Sequence, residues 1–178
     1  LSRAYLAPER DSGAQERAAA LTLLADLLGG GQTSVLAEKL QFDANVAVHT
    51  AAYYGGTSLD DTSFDIVVVP AQGVSLADAE AALDDALAAF MQDGVDPQAL
   101  ERARFQARAE LIYERDDTQR LAMRHGRALT QGLTVADVQA WPDVIQSVSE
   151  DDIMAAARAL FDKRRAVTGF LDKQELTQ

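Results

Sequence analysis

Leu27-Leu28-Gly29-Gly30-Gly31-Gln32-Thr33-Ser34-Val35-Leu36-Ala37-Glu38-Lys39-Leu40 holds the sharpest break in the chain. Leu21, Leu24, Ala25 and Leu28 precede it at helical spacing, and three glycines follow. Glycine reaches φ > 0 without a Cβ clash, so the run predicts a helix C-terminus and a tight reversal. Thr33 or Ser34 is then positioned to cap a second helix with Val35, Leu36 and Leu40 on its apolar side. An anion site on the N–H groups of that helix start is the functional alternative. It is disfavoured because GGG lacks the GxGxxG spacing, no lysine follows as in a P-loop, and no strand leads into it.

Working outward from the glycines, Arg3 to Pro8 reads as an opening strand, stopped by Pro8 and the polar segment Glu9 to Gly13. From Ala14 to Leu28 the apolar residues predict a helix with one buried stripe and its acidic residues turned away. Val46 to Tyr54 and Phe64 to Pro70 are β-branched and aromatic runs joined by a polar turn, which predicts antiparallel neighbours. The second half reads as mostly helical. Ser75 to Asp78 resembles a capping box before a face of Leu76, Ala79, Leu83, Leu87 and Phe90 that ends at Gly94. Asp96-Pro97 starts the next helix, whose stripe is Leu100, Ala103, Ala107 and Leu111. A helix from Leu121 to Leu129 closes at Gly132, and one begun by Thr134 to Asp137 is expected to be interrupted by Trp141-Pro142. Trp141 reads as a packing anchor. Ser149 to Asp152 caps a last helix carrying Ile153, Ala156, Ala157 and Leu160, and Arg165 to Leu171 returns as a strand. Segregated strands and helices with hairpin-type links predict an α+β fold, a largely antiparallel sheet covered on one face by helices.

The 178 residues fit a single domain, and 48% hydrophobic content is ample for a core. With 28 acidic against 16 basic side chains and a net charge of −12, the chain is poorly suited to a nucleic acid, whose phosphates reward positive surfaces. Arginines 102, 104, 108, 115, 120, 124 and 127 alternate with Glu101, Glu110, Glu114, Asp116 and Asp117, which reads as a salt-bridged solvated face. No cysteine means no disulfide, no thiolate zinc site and no cysteine nucleophile, and leaves the compartment, bacterial periplasm or cytoplasm, open. No apolar run approaches the length of a membrane span. The sequence opens Leu1-Ser2-Arg3 without an initiator methionine, so we expect a fragment of a longer polypeptide. His49 and His125 lie in different kinds of element, outside HExxH or HxxEH, and no GxSxG elbow is present. From local chemistry the chain has no catalytic, cofactor or metal residues of its own.

Leu28-Gly29-Gly30-Gly31-Gln32-Thr33-Ser34-Val35-Leu36 followed by Leu40 resembles the LGGGxSSRLxxxL segment of the M16 peptidases, the pitrilysin, insulinase and mitochondrial processing peptidase group. Tyr5-Leu6-Ala7-Pro8, Val69-Pro70, Leu100-Glu101-Arg102-Ala103-Arg104, Leu129 to Thr134 and Val167-Thr168-Gly169-Phe170 are similar to the same family, so the resemblance runs over nearly the whole chain. It implies an α+β half of a two-half clamshell around peptide substrates. The first half of such proteins holds zinc through HxxEH and a downstream Glu, while the second, inactive half closes the chamber. The resemblance therefore implies that residues 1–178 form one C-terminal-type domain, with zinc in an N-terminal half outside the chain. It also implies an arginine and, seven residues later, a tyrosine that hold substrate; an ungapped match puts Gln41 and Val48 there. A second half without that pair resembles the zinc-bearing subunit of a heterodimer whose homologous partner supplies Arg and Tyr. A catalytically silent assembly subunit of the M16-like type is the alternative.

Overall fold

The computed structural model describes residues 1–114 and 116–172, and the side chains of Leu111, Ile112 and Glu114 fall outside the description together with Arg115. The expected positions of Leu111 in the helical stripe and of Glu114 and Arg115 in the charged pattern therefore lie outside the described residues.

Alternation of apolar and polar residues produces four strands, β1 (Ser2–Ala7), β2 (Ala47–Tyr54), β3 (Thr62–Pro70) and β4 (Ala166–Gly169). They form one antiparallel sheet in the order β2-β3-β1-β4, so the last strand returns beside the first. Among the described residues six α-helices, α1 (Glu16–Gly29), α2 (Leu76–Asp93), α3 (Pro97–Glu114), α4 (Thr118–Thr130), α5 (Val135–Ser147) and α6 (Glu150–Leu160), complete the α+β fold expected from the sequence. Tyr5, Phe64, Ile66 and Val68 point from the sheet into a core shared with Leu21, Leu24, Leu28, Leu83 and Ile153. Tyr5 and Phe64 both meet the ring of Phe161 edge-on, at 5.3 and 5.9 Å.

Helix α1 departs from the expected single stripe. Ala18, Ala19, Ala20, Leu21, Leu23, Leu24, Ala25, Leu27 and Leu28 are all buried, because α1 packs simultaneously on β2, α3, α5 and α6. Asp26 is caught in this environment; burial, and then the charge of Glu110, raise its carboxyl above the ordinary value. Each glycine at the end of α1 has its own reason. A Cβ on Gly29 would stand 1.9 Å from the Ala52 backbone nitrogen of β2, and one on Gly30 would meet the Asp26 carboxylate at 2.0 Å. Gly31 has open space but a φ of +137°, a conformation side chains resist.

Beyond the glycines the expected α-helical segment is replaced by a π-helix, Ala37–Asp43, with Ala44 N–H bonded to Lys39 O. Neither Thr33 nor Ser34 caps it through a side chain; the buried Ser34 hydroxyl donates to Gly31 O at 2.6 Å and so ties the reversal to itself. The other starts behave as expected. Ser75 accepts from Asp78 N–H, Asp96 from Gln98 and Ala99 N–H, and Thr134/Asp137 and Ser149/Asp152 form full capping boxes.

Pro142 does not interrupt α5, which runs continuously through it. The carbonyl that a proline at 142 leaves without its helical donor is that of Val138, and the Arg124 guanidinium donates to it at 3.4 Å. Arg3 is a buried charge in β1. It sits on the covered side of the sheet, 1% exposed, bonded to Asp84, to Glu80 at 2.8 Å and to Thr168 at 3.1 Å, with Lys163 closing the cluster at 2.6 Å from Asp84. A buried arginine is tolerated because its donors are met by carboxylates on α2.

The contact at Gly29 yields a testable contrast. Gly29→Ala forces β2 backbone away from α1 and is expected to destabilise by about 3 kcal/mol, whereas Gly31→Ala should cost only about 1 kcal/mol through its φ. Urea unfolding of the two variants measures the difference; equal losses would contradict the close approach.

Candidate functional site

Strand register divides the sheet into two faces. Tyr53–Asp65–Ala4–Val167 and Ala51–Val67–Ser2–Gly169 form transverse rows on the face away from the helices, with Leu6 opposite Ser63 and His49 opposite Val69. Leu6, Tyr53, Val69 and Val167 are exposed there, an apolar surface on an acidic protein. Ser63 donates to Asp65 at 2.5 Å, and Asp65 and His49 are the acidic and basic side chains of the rows.

The two positions singled out by sequence sit at the start of this sheet and are turned differently. Gln41 lies in the π-helix and its amide donates to the buried Thr50 hydroxyl at 2.7 Å. Val48 is 61% exposed and is the extra residue of a β-bulge, since Ala47 pairs with Pro70 while His49 pairs with Val69. The bulge places Ala47 and Thr50 on the same covered face three residues apart, a spacing that simple alternation excludes.

The histidines are not brought together. His49 is exposed on the open face, while the His125 ring is engaged with Leu121 O at 3.0 Å on α4, a helix that packs on α3 and α5. Among the described residues no group of three or more His, Cys, Asp or Glu is arranged to hold a metal ion, so these residues do not fit a zinc site.

On the helical side, a cavity of about 730 Å³ opens between α1, the end of β2, α4 and α5. The alternating arginines were expected to form a solvated face, and three pairs agree: Arg102 with Asp96 at 3.8 Å, Arg120 with Asp117 at 3.2 Å, and Arg104 with Glu101. Arg104 departs from that expectation in being largely buried, and it also reaches Val148 O. Arg120, Arg124 and Arg127 line the cavity together with Arg10, the side chains of Arg120 and Arg127 remaining exposed. A helical wheel drawn on α4 could have found the three arginines, at spacings of four and three; nothing local links them to Arg10.

Arg10 is held by a built network. It is 8% exposed, stacks over Trp141 at 3.8 Å, donates to Gln15 at 2.6 Å and to Asp137 O at 2.8 Å. The Asp137 carboxylate in turn accepts from Thr134 N–H and hydroxyl, Ser12 hydroxyl and Gly13 N–H, at 2.6 to 2.9 Å. These bonds, led by that of the Thr134 hydroxyl, hold its pKa far below the ordinary carboxylate value.

Residues 2–107 match the family model described as the peptidase M16 inactive domain. No curated protein matches the sequence. Among solved structures, the inactive peptidase domain of a "putative zinc protease" from Bordetella parapertussis superposes with a TM-score of 0.83 at 16% identity, covering 99% of this chain and 93% of its own. A protease from Helicobacter pylori gives 0.83 at 15% identity over 93% of this chain, which spans 39% of that protein. A peptidase M16 inactive domain from Pseudomonas fluorescens gives 0.70 at 16% identity over 93% of this chain and 38% of its own.

The depressed pKa of Asp137 fixes a pH dependence. A group whose folded pKa is lowered contributes stability that is fully present above its unfolded value, near 4, and is lost as pH falls through the folded value. Asp137→Ala should therefore cost about 3 kcal/mol at pH 7, with the gap from the parent protein in urea unfolding narrowing steadily below about pH 4. A gap that is independent of pH would contradict the ionised-carboxylate network.

Proposed function

The chain belongs to the peptidase M16 inactive-domain family, and from that premise we propose that it is the non-catalytic C-terminal half of an M16-type zinc metallopeptidase. It closes the peptide-binding chamber and contacts the zinc-bearing N-terminal half of the same polypeptide. The observation that carries this reading is the uncovered face of the sheet. Leu6, Tyr53, Val69 and Val167 give it an apolar surface suited to extended peptide or to a second domain, and Asp65 and His49 are the acidic and basic side chains of its rows among the described residues. On this reading the parent protein is the metalloendopeptidase, zinc belongs to the half outside this chain, and these residues alone are inactive.

Gln41 and Val48 extend the proposal to a partner. Arginine offers a planar, permanently charged donor fork, whereas Gln41 offers a shorter neutral amide, here donating to Thr50, and Val48 has no hydrogen-bonding group. Loss of such substrate-orienting groups lowers turnover by about a hundredfold. The full-length protein is accordingly expected to act as a heterodimer with a homologous M16 subunit that supplies Arg and Tyr.

Peptide cleavage by the full-length protein, with and without that homologue, tests the proposal. The expected result is weak cleavage alone, a gain of about a hundredfold with the partner, and a partial gain in the Gln41→Arg, Val48→Tyr double variant. Full activity of the unmodified protein by itself would overturn the division of labour.

A further inference from the structure

The two edges of the sheet are not alike. In an antiparallel pair, alternate residues turn their backbone groups to the neighbouring strand and the others turn them away. Gly55 N–H bonds to Ser63 O, so on β2 it is Thr50, Ala52 and Tyr54 that present backbone to the outside of the sheet. That edge is closed. Thr50 and Ala52 are buried, with Gln41 of the π-helix on the Thr50 hydroxyl and Gly29 of α1 against the Ala52 nitrogen.

Strand β4 forms the other edge, and it is open. Leu1 and Val68 exchange backbone hydrogen bonds, so Ser2 and Ala4 face β4, where their partners are Gly169 and Val167. Ala166, Thr168 and Phe170 therefore present backbone outward. The Ala166 N–H is taken by Lys163 O. Ala166 O, both groups of Thr168 and the Phe170 N–H make no backbone hydrogen bond to another element among the described residues. No charge or proline within Ala166–Gly169 guards this edge, and Val167 and Gly169 are exposed along it.

Positive charge stands at one end of the open edge. Arg165, just before β4, and Arg17 of α1 line a cleft of about 130 Å³ with Leu6, Ala7 and Pro8, where β1 ends. Both arginines are exposed, and neither makes an ion pair or a side-chain hydrogen bond with a described residue. Asp61 lines the cleft from the β3 side, so two positive side chains stand there with one negative.

We propose that the β4 edge binds the C-terminal segment of an extended polypeptide as an added antiparallel strand, with the terminal carboxylate on Arg165 and Arg17. A strand antiparallel to β4 runs in the direction of β1, so its C-terminus arrives beside Leu6 to Pro8, where the arginines stand. Thr168 exchanges two hydrogen bonds with the added strand, Ala166 O accepts another and Phe170 N–H donates another. These backbone bonds carry affinity whatever the sequence, and the guanidinium forks select a chain end over an internal segment. The site lies at the opposite edge of the sheet from Gln41 and Val48 and does not rest on the chamber reading.

Isothermal titration of the full-length protein with acetyl-Val-Thr-Val-Thr-Val tests this, alongside its C-terminal amide and two forms N-methylated at alternate residues. The free acid is expected to saturate, with the amide about fivefold weaker. One N-methylated form should not bind and the other should bind like the parent peptide, because only alternate N–H groups face β4. Arg165→Gln, at an exposed side chain, should weaken the acid about fivefold and leave the amide unchanged. The proposal is overturned if the acid does not saturate, including the case in which a second copy or another part of the polypeptide occupies the edge. It is overturned equally if the two N-methylated forms bind alike, if the amide matches the acid, or if Arg165→Gln changes nothing.

Discussion

Helix α1 approaches β2 so closely that no side chain fits at position 29, and the rest of the domain is arranged around that contact. The Gly29 Cα lies against the Ala51–Ala52 backbone, which lets the helix drop into the covered face of the sheet and present Leu and Ala on every other side. Helices α3, α5 and α6 then close over α1, which accounts for an Ala- and Leu-rich helix buried all round. Among the described residues the other face of the four strands carries no layer. The same contact therefore creates both the core and the surface available to a second body.

Much of this was legible in the sequence wherever the information is local. The glycine run, the Ser, Thr and Asp caps, Gly94 and Gly132 after their helices, and the β-branched runs all act within a few residues, and the elements they announce are present except the α-helix expected after Thr33 or Ser34, where a π-helix stands uncapped by either. Features that depend on distant partners were not legible. The π-helix at Ala37–Asp43 and the bulge at Val48 serve the meeting of that turn with β2, through Gln41 and Thr50. Pro142 reads as a helix breaker until Arg124, from another helix, takes the Val138 carbonyl. The burial of Arg3 in the first strand depends on Glu80, Asp84 and Lys163, all more than seventy residues away.

The candidate site divides along the same line. Family membership could be read from the glycine segment and from scattered matches along the chain, and the family model bears it out over residues 2–107. The open sheet face followed from the expectation of helices on one side only. The arginine cavity did not, because arginines on α4 look alike whether they face water or a shared pocket, and Arg10 lies over a hundred residues away in sequence. The two surfaces differ in chemistry as well as position: one is largely apolar, the other concave and lined by arginines.

The central claim is that this domain is a companion to catalytic chemistry housed elsewhere in its protein. Metal analysis tests it most directly, on the purified 178-residue chain and on the full-length protein, each equilibrated with zinc and then freed of excess. The account predicts about one tightly held zinc per full-length polypeptide and none retained by the 178-residue chain. Stoichiometric zinc on the short chain that disappears when His49 or His125 is replaced would contradict it.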